Sequence, residues 1–272
     1  WVCVCGCCVG RMGVHGAVDV TAAFHWSLYL FGIEGFLFFA VVTQTKSQEP
    51  GHHGGVARHF SNSFLFSSLA ALFLAVASQT YPSSVSNYFG VAAAACTAIV
   101  ALSLVAAAAQ VVVPEPRHAL VKTLSFVLWI SVVLLCLVFW SKNVAAVPDI
   151  PYVSPHIRRQ LAGAVAGGVI SVLIACFMRI GRTVKGRNGA FILMLGCAIT
   201  CLTGIIWIHL QPMCDPSDTI NWICPLPRLL DPNTLLVWML FGGNILCAEG
   251  VLRLMSVGTG ESSSDGYSEI LP

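Results

Sequence analysis

Residues 20–43 read VTAAFHWSLYLFGIEGFLFFAVVT, with one charged side chain, Glu34, and ten or more uncharged residues on either side of it. A helix rises about 1.5 Å per residue, so a run of this length covers the ~30 Å hydrocarbon core of a bilayer. A carboxylate at that depth costs several kcal/mol unless it is protonated, paired or in contact with water. The same stretch therefore implies a membrane span and singles out one residue for a functional explanation.

Six further runs of this kind follow, at 60–78, 89–113, 120–140, 160–180, 190–210 and 234–256. The links between them carry turn and breaker residues: Gln48-Glu49-Pro50-Gly51, Tyr81-Pro82-Ser83-Ser84, Pro114-Glu115-Pro116-Arg117, then Pro148, Pro151 and Pro155. Barrel strands would alternate in hydropathy over about ten residues, whereas these runs are continuous and about twice as long. The expected fold is an all-α integral membrane protein, a bundle of seven transmembrane helices across residues 20–256. Residues 1–19 form a Cys- and Gly-rich N-terminal segment, and 257–272 a polar, acidic tail that reads as a disordered extension. The sequence begins at Trp1 rather than Met, which implies a missing start or a removed leader.

Composition agrees. The chain is 57% hydrophobic and 10% charged, against about 25% charged in ordinary soluble domains. A net charge of +2 with no long basic block gives no footprint for nucleic acid, so the lipid bilayer is the first expected partner, with other membrane subunits or a second copy after it. Half of the twelve cysteines lie in apolar runs (Cys96, Cys136, Cys176, Cys197, Cys201, Cys247), where they act as small hydrophobes. Cys214 and Cys224 share a polar, Pro-rich connection and are candidates for a disulfide if that loop faces an oxidising compartment.

Lys and Arg in short loops set orientation. With the N-terminus outside, nine basic residues face inward (Lys46, Arg58, Arg117, Lys122, Arg179, Arg182, Lys185, Arg187, Arg253) and five outward (Arg11, Lys142, Arg158, Arg159, Arg228). The balance favours N-out, C-in, which also places Cys214 and Cys224 outside. The organelle is not legible.

Glu249 is the second acid inside a run. Counted from the outer ends of their runs, Glu34 and Glu249 fall at similar depth, and in a closed ring the two carboxyls could approach. Close carboxylates do not both ionise easily, so one would keep its proton, as a proton or cation relay requires. The plainer alternative for Glu249 is an ion pair with Arg253, four residues on. Glu34 has no such partner in its own run. His25, near the outer end of the first run beside Asp19, Trp26 and Tyr29, is the third candidate for the pathway. Gly35 and Gly250 follow the two acids and leave room for water, a ligand or a neighbouring backbone.

Gly163, Gly167 and Gly168 form a GxxxG-type face, suited to bundle packing or to a dimer interface, and Gly196, Thr200 and Gly204 line one face of the sixth run. His52, His53 and His59 read as a polar, Gly-rich loop. No ligand spacing indicates a metal site, no cofactor is implied and no catalytic residue is assigned. The last run has no lysine for a retinal Schiff base, and it reads Ala248-Glu249-Gly250-Val251-Leu252 where a class-A receptor carries Asn-Pro-x-x-Tyr.

Two main function classes emerge. One is a proton, cation or small-solute pathway that uses Glu34, assisted by Glu249 or His25. The other is a non-catalytic subunit or scaffold whose polar groups bind partner helices. A divergent seven-helix receptor is a third reading, and an enzyme is less favoured.

Overall fold

A computed structural model describes residues 20–47, 54–80, 84–112, 117–143, 155–182, 187–213 and 232–256. The described chain is helical: α1 (Val20–Ser47), α2 (Gly54–Thr80), α3 (Ser84–Val112), α4 (His118–Asn143), α5 (Pro155–Arg182), α6 (Arg187–Met213) and α7 (Pro232–Ser256). Pro155 and Pro232 open α5 and α7, at the helix start where a missing N–H is harmless. α2 begins at Gly54, earlier than its apolar run, so Arg58 and His59 belong to the helix and not to the loop expected for them. Six helices (α1, α2, α3, α5, α6, α7) contain stretches long and apolar enough to cross a membrane; the apolar stretch described in α4 is the shorter Ala119–Ser131.

Neighbouring helices pack α1 on α2, α2 on α3, α3 on α5, α5 on α6 and α6 on α7. Contacts of α7 with α1 and α2 complete the ring. α4 is skipped: it lies against α3 on the outside, with Trp129 edge-on to Phe66 of α2 at 5.1 Å. Small side chains make the close approaches possible. α3 buries Ala93, Ala101, Ala106, Ala107 and Ala108, and Gly168 of α5 meets it with so little room that a Cβ there would stand 3.0 Å from the Ala101 carbonyl oxygen.

The α6–α7 seam is tighter still. Added Cβ atoms at Gly189, Gly196 and Gly250 would come within 2.7, 2.7 and 2.5 Å of the backbone nitrogens of Leu254, Cys247 and Leu193. These contacts pair Gly189 with Leu254, Leu193 with Gly250, Gly196 with Cys247 and Thr200 with Gly243, an antiparallel register held over more than three turns. Cys197 and Cys247 bring their sulfurs to 3.9 Å inside it.

Hydroxyls that would otherwise go unpaired bond the carbonyl one turn back in their own helix. Thr97 does so to Ala93, Thr200 to Gly196, Thr203 to Ile199, Ser171 to Gly167 and Thr45 to Val41. That internal satisfaction is what a hydrocarbon solvent demands. The outer surface is correspondingly apolar: Phe36, Phe39, Phe126, Phe177 and Trp238, from three helices of the ring and from α4, are all largely exposed. A water-soluble monomer rarely exposes contiguous apolar surface on this scale. The chain is an all-helical, multi-pass membrane protein.

Candidate functional site

Glu34 stands 14 residues after Val20 and 13 before Ser47, at the middle of α1. Asn244 holds the same place in α7, 12 residues from each end. The α1–α7 contact brings them together: Asn244 Nδ2 donates to Glu34 Oε1 at 2.7 Å, and both side chains are buried, at 1% and 2% exposure. Glu34 Oε2 is also buried and has no hydrogen-bond partner among the described residues. One oxygen of the carboxyl is thus held by Asn244, while the other has no partner among the described residues.

Two neighbours shape this site. Ser68 of α2 donates to the Phe31 carbonyl of α1 at 3.0 Å, one turn from Gly35. A Cβ at Gly35 would sit 3.4 Å from the Ser68 hydroxyl oxygen, so the glycine admits the serine close to the α1 backbone beside Glu34. In low dielectric each such bond counts for more than in water, and an unpaired buried group costs about 1–3 kcal/mol.

Glu249 is elsewhere. It lies five residues beyond Asn244, about 7.5 Å further along α7, and accepts from Arg253 Nε at 2.6 Å. Both side chains are about half exposed (45% and 54%). The two acids do not form the carboxyl pair that a depth count from run ends suggested, because that count ignored which way each residue faces on its helix. Glu34 points into the ring; Glu249 points out of it, with its own partner.

His25 is exposed near the start of α1, about nine residues from Glu34 and on the outer surface. Gly168 packs on α3 as described, but Gly163 and Gly167 are exposed with nothing within reach of an added Cβ. The expected glycine face is therefore split between an internal contact and an outward groove. Gly204 likewise meets nothing, whereas Gly196 and Thr200 from the same stripe pack on α7. Cys214 and Cys224 lie outside the described residues, as do residues 1–19 and the tail. Among the described residues no three His, Cys, Asp or Glu side chains gather as a metal site.

A second polar cluster escaped the reading of the sequence. His59 of α2 and Gln110 of α3, both buried, meet at 3.1 Å between His59 Nε2 and Gln110 Nε2. Gly55 makes this possible, since a Cβ there would collide with Gln110 Oε1. The available signal was Gln110 closing an otherwise apolar run, with His59 at the start of the helix before it.

Comparison with family models, with curated proteins and with solved structures finds no match to this chain. Its function must be argued from the site.

Proposed function

We propose that the protein provides a transmembrane pathway for a proton, a cation or a small polar solute, with Glu34 as the group that exchanges with it. The observation that carries this reading is the half-bonded carboxyl at mid-bundle: Oε1 is held by Asn244, while Oε2 is buried with no hydrogen-bond partner among the described residues. A carboxyl kept only to tie α1 to α7 would be expected to have both oxygens satisfied, since a half-satisfied buried group is costly. The excess of Lys and Arg on alternate loops supports an orientation with the N-terminus outside and the C-terminus inside.

A second reading draws on a separate observation. Gly163 and Gly167 face outward, with exposed Ile170, Ile174 and Phe177 continuing along α5. This suits a non-catalytic subunit or a homodimer in which another helix lies on α5.

Reconstituted flux separates the two. Purified protein in liposomes is given proton, Na⁺ and K⁺ gradients, and wild type is compared with Glu34→Gln. The pathway reading expects flux above empty liposomes in the wild type and its loss in a folded Glu34→Gln. Absence of wild-type flux for every gradient, together with cross-linking of copies through Gly163→Cys, would move the assignment to the subunit reading.

A further inference from the structure

Buried polar side chains stand among the apolar ones of α2 and α3 along their seam. On α2, His59, Ser63 and Ser67 are spaced by four and all buried; on α3, Gln110 and Ser103, seven apart and so on one face, are buried too. His59 meets Gln110 near one end of the seam, and near the other Ser86 of α3 donates to the Ala77 carbonyl of α2 at 2.9 Å. These two contacts fix an antiparallel register that sets Ser103 against the Ser63–Ser67 stretch. Ser68, next to Ser67, touches α1 at Phe31 and Gly35, the residues that flank Glu34. Along the seam, Ser68 marks the level of Glu34 on α2; from that level to His59 is nine residues, roughly 14 Å, and to the Gly54 end fourteen residues, roughly 21 Å.

Three atoms along it are buried without a protein hydrogen bond among the described residues: Glu34 Oε2, Ser103 Oγ and Gln110 Oε1. Buried polar atoms are nearly always satisfied, and where protein does not do so, water does. Among the described residues no Lys or Arg is recorded in contact with these groups to bind an anion. A dehydrated Na⁺ or K⁺ needs several oxygens around one point, while the seam offers its hydroxyls singly, spaced along a helix. Single hydroxyls bridged by water are what a proton needs.

We propose that the species carried is the proton, and that it passes between Glu34 and the Gly54 end of the bundle along the α2–α3 seam, with His59 as the terminal relay. The proposal rests on the Glu34 pathway above and adds its substrate and its route. In each hop a proton leaves one oxygen as another joins the next. The Glu34 acid gives up its proton and becomes a carboxylate. The hydroxyls of the seam, with water between them, accept one proton and release one, so they end unchanged. The His59 imidazole takes the proton on one ring nitrogen and releases one to solvent at the helix end. Glu34 is reset by a proton from the opposite membrane face, so that one proton crosses and nothing is oxidised or reduced.

The test is proton flux into liposomes that hold a pH-sensitive dye, run for wild type, Glu34→Gln, His59→Ala, His59→Gln and Ser103→Val, each shown folded by its circular dichroism and gel-filtration profile. Wild type should acidify the lumen, and Glu34→Gln should not. His59→Ala should fall by at least about tenfold, as for loss of an acid–base group, and imidazole added to the buffer should restore it, which a merely structural role would not allow. If His59→Ala does not fold, His59→Gln keeps the shape and the hydrogen bond to Gln110 without a titrating ring, and should be as slow. Flux lost in Glu34→Gln but retained in His59→Gln and Ser103→Val overturns the route and leaves Glu34 standing. Loss in His59→Ala that imidazole does not repair overturns the relay as well. Flux of Na⁺ or K⁺ without protons overturns the substrate. No wild-type flux of any kind removes the Glu34 pathway itself.

Discussion

At the scale of the residue, the Glu34–Asn244 bond is the feature with the clearest energetic consequence. Asn244→Leu keeps the volume of the side chain but removes the donor, leaving both Glu34 oxygens buried with no partner among the described residues. We expect it to destabilise the folded protein in detergent by about 1–3 kcal/mol. Glu34→Gln should cost less, because an amide can still accept from Asn244 with its carbonyl oxygen. The double variant Glu34→Leu with Asn244→Leu should recover most of the loss, since replacing both partners by apolar groups removes the desolvation cost at both ends. Thermal unfolding followed by circular dichroism checks the order of the three; an Asn244→Leu as stable as wild type would mean that the bond contributes nothing. Glu34 was legible in the sequence because a charge stands out against an apolar run. Asn244 was not, because an uncharged amide barely changes mean hydropathy and its meaning depends on which helix it faces. His59 and Gln110 were hidden for a related reason: each sits near the end of its helix, where polar residues are ordinary, and only the helix contact reveals that both are buried.

At the scale of the element, glycines that look alike in sequence divide sharply by what they face. Gly196 and Gly243 lie in the α6–α7 seam, where an added Cβ would stand 2.7 Å from the Cys247 nitrogen and from the Thr200 hydroxyl oxygen respectively. Gly204 and Gly242, on the same two helices, meet nothing within 4 Å. Gly196→Val must therefore push the helices apart, and overpacking of this kind costs about 1–3 kcal/mol or more. Gly204→Ala should be neutral or stabilising by up to about 1 kcal/mol, because alanine is the better helix former. Thermal midpoints of the two variants, measured side by side in one detergent, should separate clearly; equal midpoints would show that the seam tolerates separation. Spacing alone could propose a small-residue face here, but it could not tell Gly196 from Gly204. The four-residue stripe drifts around the helix, whereas the seven-residue pairs Gly189–Gly196 and Gly243–Gly250 stay on the contact.

At the scale of the whole molecule, α4 determines how many times the chain crosses. Six other helices close a ring without it, and its described apolar stretch, Ala119–Ser131, is the short one. Three facts favour a full crossing. The helix is 26 residues long, about 39 Å at 1.5 Å per residue. Its contact to α2 also joins Trp129, near the middle of α4, to Phe66, near the middle of α2, as expected of helices lying side by side at one depth. Its described side chains are exposed on nearly every face, including Leu120, Leu124, Phe126, Leu128, Ile130 and Leu134, which suits a helix surrounded by lipid and not one lying in water. Seven crossings place the two ends of the chain on opposite sides of the membrane; six would place them on the same side. Epitope tags appended at the two ends, probed by antibody before and after selective permeabilisation of cells, read this directly. We expect the C-terminal tag to become accessible when the plasma membrane is permeabilised, and the N-terminal tag at a different step, either in intact cells or only when every membrane is opened. Tags that become accessible at the same step would mean that α4 does not cross, and the assignment of Lys and Arg to faces would then have to be reversed for every loop beyond it.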